Sequence, residues 1–239
     1  MKNLFAEAIL IFLSVLTSFS VDGFRKEIKE KEELNEAVYS LSVEMKSNIT
    51  YADEHLKQLE NMLYMTNYIL ENYEDYSYNT LNLIHDERPF IHFFDTENKL
   101  RYSKTTQPHQ YFLWWNAWEP NNILYKNLTN SGKLLEINDN EIMQELESIY
   151  IKQKERNEGI AMLRKEGFDR LFLRQLRIMK KYEIDSYTDP YYEYRDHDLY
   201  VEMIHRKANI ELGISRIKDY KTTLIHVSEI IESNYGNLN

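Results

Sequence analysis

The chain has no cysteine, and only six glycines and four prolines among its 239 residues. The first absence excludes disulfides, thiolate metal sites and a cysteine nucleophile, and leaves the compartment open. Few glycines and prolines mean few turns, so long helices are predicted. Pro89, Pro108, Pro120 and Pro190 all lie in the middle of the chain, which leaves its two ends to carry the longest helices. A basic surface is lacking too: the formal net charge of −10 excludes non-specific nucleic-acid binding and attraction to anionic headgroups. No phosphate-cradling glycine loop, nucleophile elbow or His-Glu-x-x-His occurs. The expectation is a protein without catalytic activity and without a cofactor.

What the chain does have begins with an apolar segment. From Leu4 to Val21 every one of 18 positions is apolar or small except Glu7. That length is at the short end for a membrane-spanning helix, with Lys2 and Arg25 placed to snorkel at its ends. A cleaved leader is the alternative, with Lys2 as its basic start and Ser18-Phe19-Ser20 as a small-x-small site. A buried soluble helix is the third reading, but 18 such residues exceed what one helix face needs. An acidic residue is unusual in a leader's apolar core, so residues 1–23 are read as a transmembrane anchor. Glu7 is then an intramembrane polar residue. It faces a partner, a bundle interior or water, or it sits one turn inside the interface with a role in topology alone.

After Gly23 the apolar positions Phe24, Ile28, Leu34, Val38, Leu41, Met45, Ile49, Ala52, Leu56, Leu59, Leu63 and Tyr73 recur at spacings of three and four. This period predicts one long amphipathic, coiled-coil-like helix continuous with the anchor. Val201, Ile204, Ala208, Leu212, Tyr220, Leu224, Val227 and Ile231 predict a second long helix over 198–235, stopped at Gly236. Asn138 with Glu141 resembles a capping box for a helix carrying Ile142, Leu146 and Ile149, and a further helix is expected over 168–182. The fold class is therefore all-α. A transmembrane helix runs into a long amphipathic helix packed in an antiparallel four-helix bundle over 24–239, with an irregular Trp- and Pro-containing insertion at 76–122.

That insertion holds Trp114, Trp115 and Trp118, read as a plug over the bundle end or as a partner-binding face. Asp198, Glu202 and His205 share one face of the last helix. Glu-x-x-His is a di-iron carboxylate pattern, but its second copy is lacking, so a solvated face is the simpler reading and no metal is expected. The acidic, tyrosine-rich stretch 185–198 lacks the glycine and spacing of a calcium loop and is read as an interhelical connection.

Two stretches carry a resemblance. Ala6-Glu7-Ala8, the apolar run to Val21 and Phe24-Arg25-Lys26-Glu27 form one; Tyr125, Leu128, Ser131, Gly132 and Leu134 form the other, with Ile137, Asn138, Leu146 and Tyr150 following. Together they resemble an uncharacterised family of single-pass bacterial membrane proteins of Bacteroidetes type, with an N-terminal anchor and a helical body. The Ser131-Gly132 pair also predicts a turn that needs a permissive backbone. Arg25, Lys26, Lys29 and Lys31 after the anchor outnumber Lys2 before it, which by charge puts the body in the cytoplasm. The resemblance implies the opposite, a periplasmic body on the bacterial inner membrane, and is given the greater weight.

The functional expectation is a membrane-anchored interaction, scaffold or sensor module. Its partners are the lipid bilayer and either a second copy or another membrane protein, with no nucleic acid. The alternatives are an oligomeric effector or ion path using Glu7, and a metal enzyme centred on His205.

Overall fold

The computed structural model describes residues 2–89, 91–96, 99–104 and 110–236; for 2–16, 19, 91–96 and 99–104 it describes the backbone. The first helix, α1 (Lys2–Glu71), runs unbroken for 70 residues, about 105 Å at 1.5 Å per residue. Residues 20–33 are exposed along its whole circumference. Burial starts at the half-buried Leu34 and is complete by Val38. Phe24 and Ile28, in phase with the buried stripe, thus find no cover among the described residues. Among the described residues no helix is long and apolar enough to cross a membrane. The side chain of Glu7 and most of the expected anchor's side chains lie outside the described residues.

The last helix, α8 (His197–Tyr235), covers the bundle half of α1 in the opposite direction. Lys46 pairs with Glu232, Asp53 with Lys221 and Glu60 with Lys218, and the Tyr73 and Tyr200 rings meet edge to face at 5.0 Å. Each step forward on α1 is a step back on α8, the expected antiparallel packing. Gly236 closes α8 as predicted, with φ −78° and its N–H donating to the Glu232 carbonyl.

Between these rods lie α2 (Tyr78–Glu87), an antiparallel hairpin of β1 (Ile91–Thr96) and β2 (Lys99–Lys104), α3 (Gln110–Leu113), and α4 (Ile123–Asn130). Next come α5 (Asn140–Glu147) and α6 (Lys154–Tyr182), then the single turn α7 (Asp189–Tyr192) in the 185–198 connection. Among the described residues the chain is all-α apart from the small hairpin, which falls inside the insertion expected to be irregular.

Two expectations are corrected. The helices predicted at about 138–150 and 168–182 are one rod, because a π-helical segment at Ser148–Gln153 joins α5 to α6 without a break. Residues 151–159 carry no apolar stripe, yet their Lys, Glu, Gln and Arg residues are good helix formers and extend the rod, with polar Gln153 bonded to Thr223 of α8 and Asn157 buried. The bundle therefore has three long rods, not four. The cap of α5 is Asp139, one residue past the predicted Asn138, with its carboxylate accepting from the N–H groups of Glu141 and Ile142. The turn at Ser131-Gly132 is as expected: Gly132 takes φ +77°, which a Cβ would strain.

Candidate functional site

A second row of buried residues runs along α1 beside the apolar stripe, and it is polar. Glu44, Asn48, Tyr51, His55 and Gln58 alternate spacings of four and three, and all but the half-buried Tyr51 are almost fully buried. What Glu44, Asn48, Tyr51 and His55 face is the 114–125 segment, of which 114–122 has no regular structure, so its buried backbone groups have no helix or sheet partners and side chains must supply them. Asn48 does so twice, accepting from Asn121 N–H and donating to Asn121 C=O, both at 2.8 Å. The Tyr51 hydroxyl accepts from Glu119 N–H at 2.8 Å and donates to the Ala117 carbonyl at 3.4 Å. The Glu44 carboxylate accepts from Leu124 N–H at 2.7 Å and Tyr125 N–H at 3.4 Å, capping α4 from a different helix.

Arginines serve the same end elsewhere. Arg174 donates to the Pro190 and Tyr194 carbonyls and pairs with Asp196. Arg195 donates to the Tyr73 and Tyr76 carbonyls, its guanidinium 4.7 Å above the Tyr76 ring. Arg206 on α8 holds the end of α3 by donating to the carbonyls of Tyr111, Phe112 and Trp114.

Arg164 on α6 departs from this pattern. It is 9% exposed, its Nε has no hydrogen-bond partner, and among the described residues no carboxylate pairs with it. Burial pushes the guanidinium down to about 10, opposed by the nearby Tyr51; it remains charged at neutral pH. Burial also brings Arg206 down to about 10, with Arg164 repelling it, and the buried Nε of Arg206 likewise has no partner. His55 is pushed down to about 3, chiefly by burial and secondarily by Arg164. It stands neutral, its Nε2 3.2 Å from the Tyr51 hydroxyl and its ring against Trp118.

Both arginines line a cavity of about 20 Å³ between α6 and α8, with Trp114, Gly167, Asn209 and Ile210 among the other walls. Arg170 and Glu202 lie at its edge and bond to each other, Nε to Oε1, at 2.8 Å. Room for Arg164 comes from Gly213 in the middle of α8, where an added Cβ would sit 2.5 Å from Arg164 Nη1 and 3.3 Å from Leu59 Cδ1. Glycine inside a helix costs about 1 kcal/mol relative to alanine; here it makes space for a guanidinium.

The residues singled out in the sequence fare differently. Trp114 and Trp118 are 4% and 2% exposed, which corrects the partner-binding expectation for both: Trp114 walls the cavity and Trp118 packs on Tyr51, His55 and Tyr220. Trp115 alone is half-buried. Asp198 and His205 are exposed on α8 and Glu202 is held by Arg170; no group of three or more His, Asp or Glu placed to hold a metal occurs among the described residues.

Arg164, Arg206 and Gly213 had a sequence signal of their own. Each lies in phase with an apolar stripe: Arg164 between Ile160 and Leu171, Arg206 between Met203 and Ile210, and Gly213 between Ile210 and Ile217. A charge or a glycine at a core position of a long helix is the mark to look for. Scans of the chain against known protein families, curated proteins and solved structures found no match.

Proposed function

We propose that the protein is a single-pass, membrane-anchored scaffold or sensor module without catalytic activity, in which α1 both enters the bilayer and carries the bundle. One observation supports the reading above the rest. The helix that holds the apolar 4–21 segment is the same unbroken helix whose 38–69 portion forms the bundle core, and the stretch between, residues 20–33, is exposed on all sides, with Glu33 at its end pairing with Lys133 at 3.6 Å. A rod of this kind transmits displacement or rotation between its ends, since a helix without Pro or an inserted bulge has no hinge. Its exposed Phe24 and Ile28 favour a second copy or another membrane protein beside the stalk. On the family resemblance the body lies in the periplasm of a bacterial inner membrane.

The test is the oligomeric mass of the detergent-solubilised full-length chain beside a chain lacking residues 1–22, together with partition between membrane and supernatant. The reading expects the full chain in the membrane fraction and the shortened chain folded and released. Equal recovery of both in the supernatant would remove it. Glu7 supports a second reading, an oligomeric effector or ion path, because a carboxyl within an apolar run is costly unless it meets a partner or water. That reading expects Glu7→Gln to abolish conductance while the bundle stays folded.

A further inference from the structure

We propose that the cavity between α6 and α8 binds one small monovalent anion, of the size of chloride, held between the guanidiniums of Arg164 and Arg206.

Charge is the first argument. Three guanidiniums and one carboxylate, those of Arg164, Arg170, Arg206 and Glu202, border the cavity, and Glu202 is engaged by Arg170. Arg164 and the half-buried Arg206 are left as two neighbouring cations with buried Nε groups, Arg164 repelling Arg206, and among the described residues neither pairs with a carboxylate. An uncompensated buried charge is among the costliest arrangements in a protein interior, and a counter-ion removes the cost.

Direction is the second. The Nε–H groups of Arg164 and Arg206 are both buried and both lack an acceptor, whereas the other polar groups on Arg206 and all those of Arg174 that bond do so to named carbonyls and a carboxylate. An anion accepts from such donors with charge-assisted hydrogen bonds about twice as strong as neutral ones.

Size decides which anion. About 20 Å³ admits one water-sized occupant, for which roughly 10–15 Å³ is the minimum. A halide fits; a tetrahedral oxyanion such as sulfate or phosphate does not. A water molecule fits equally well by volume but leaves both charges uncompensated, so ion selectivity separates the two occupants. Gly213, whose missing Cβ admits Arg164 Nη1, is the part of the site that α8 contributes by omission. None of this depends on the anchor.

The experiment uses the full chain in detergent, exchanged into gluconate. Chloride, bromide or sulfate is then titrated at constant ionic strength while the thermal midpoint and the chloride NMR linewidth are followed. The expected result is a saturable rise of the midpoint with chloride and bromide and none with sulfate, and excess chloride linewidth that bromide suppresses and sulfate does not. Arg164→Met is expected to need at least about tenfold more chloride for the same rise, while its midpoint in gluconate equals or exceeds that of the unaltered chain. Should that variant fail to fold, the linewidth competition in the unaltered chain decides alone. A midpoint and linewidth indifferent to halide, an equal response to sulfate, or an undiminished response in Arg164→Met would each overturn the proposal.

Discussion

On α1, Val38, Leu41, Met45, Ala52, Leu56 and Leu59 form one buried face, and Glu44, Asn48, Tyr51, His55 and Gln58 form another roughly a quarter turn away. The first meets the regular helix α8, whose backbone bonds are satisfied internally, so apolar side chains suffice and hydrophobic burial supplies the stability. The second meets the 114–125 segment, which brings unpaired N–H and C=O groups into the core and must be met by acceptors and donors. A helix can thus be amphipathic twice, and what its partner leaves unsatisfied dictates which side chains face it.

Four measurements bear on that contrast. The largest effect is expected on the apolar face. Leu59→Ala, at a 1% exposed position against Gly213, should lower stability by about 3 kcal/mol in urea unfolding, the mid-range for a buried leucine; a loss below about 1 kcal/mol would mean that α8 does not close on α1 there. Next comes the polar face. Glu44→Ala strands two backbone N–H groups and should lose about 2 kcal/mol, with hydrogen exchange accelerated at Leu124 and Tyr125 before the rest of the bundle, whereas Glu44→Gln retains one acceptor and loses less. Exchange unchanged at those two amides would show that α4 is held by something else.

The third measurement varies pH. His55 titrates near 6.5 when unfolded and near 3 when folded, so between those values the unfolded chain binds the extra proton and stability falls as pH falls. Its share of the loss between pH 7 and 5 is about 2 kcal/mol. Urea midpoints at both pH values should lie closer together in His55→Gln than in the unaltered chain, and identical spacing would remove the assignment. The smallest effect belongs to the rim where the two rods meet in solvent. Lys218→Ala, which breaks an exposed pair with Glu60 at 3.5 Å, should change stability by less than about 1 kcal/mol.

Much of the architecture was readable from residues alone. Spacings of three and four marked the ranges of α1 and α8, except that α1 ends at Glu71, before Tyr73, and that α8 buries Leu199, Met203 and Ile210 and leaves the expected Ile204, Ala208 and Leu212 exposed. Gly132 marked its turn because only a residue without Cβ takes φ +77° cheaply. The single rod of α5 and α6 was not readable by the same means. A helix that packs through polar residues such as Gln153 and Asn157 has no apolar stripe over that interval, and helix propensity, a weaker signal, carries it. Trp114 and Trp118 were placed in an irregular segment with no period to say which way they point, and burial turned them inward.

The sequence by itself determined where α1 and α8 run, which face of α1 is apolar, and that α1 begins in an 18-residue apolar run, because periodicity and composition are local properties of a chain. Only the tertiary structure decided that Glu44 caps a helix 80 residues away, that Gly213 admits the guanidinium of Arg164, and that Arg164 and Arg206 share a cavity of about 20 Å³. Those depend on which surfaces meet and at what register, and a charged residue in a core stripe is costly or useful according to what the facing element brings to it.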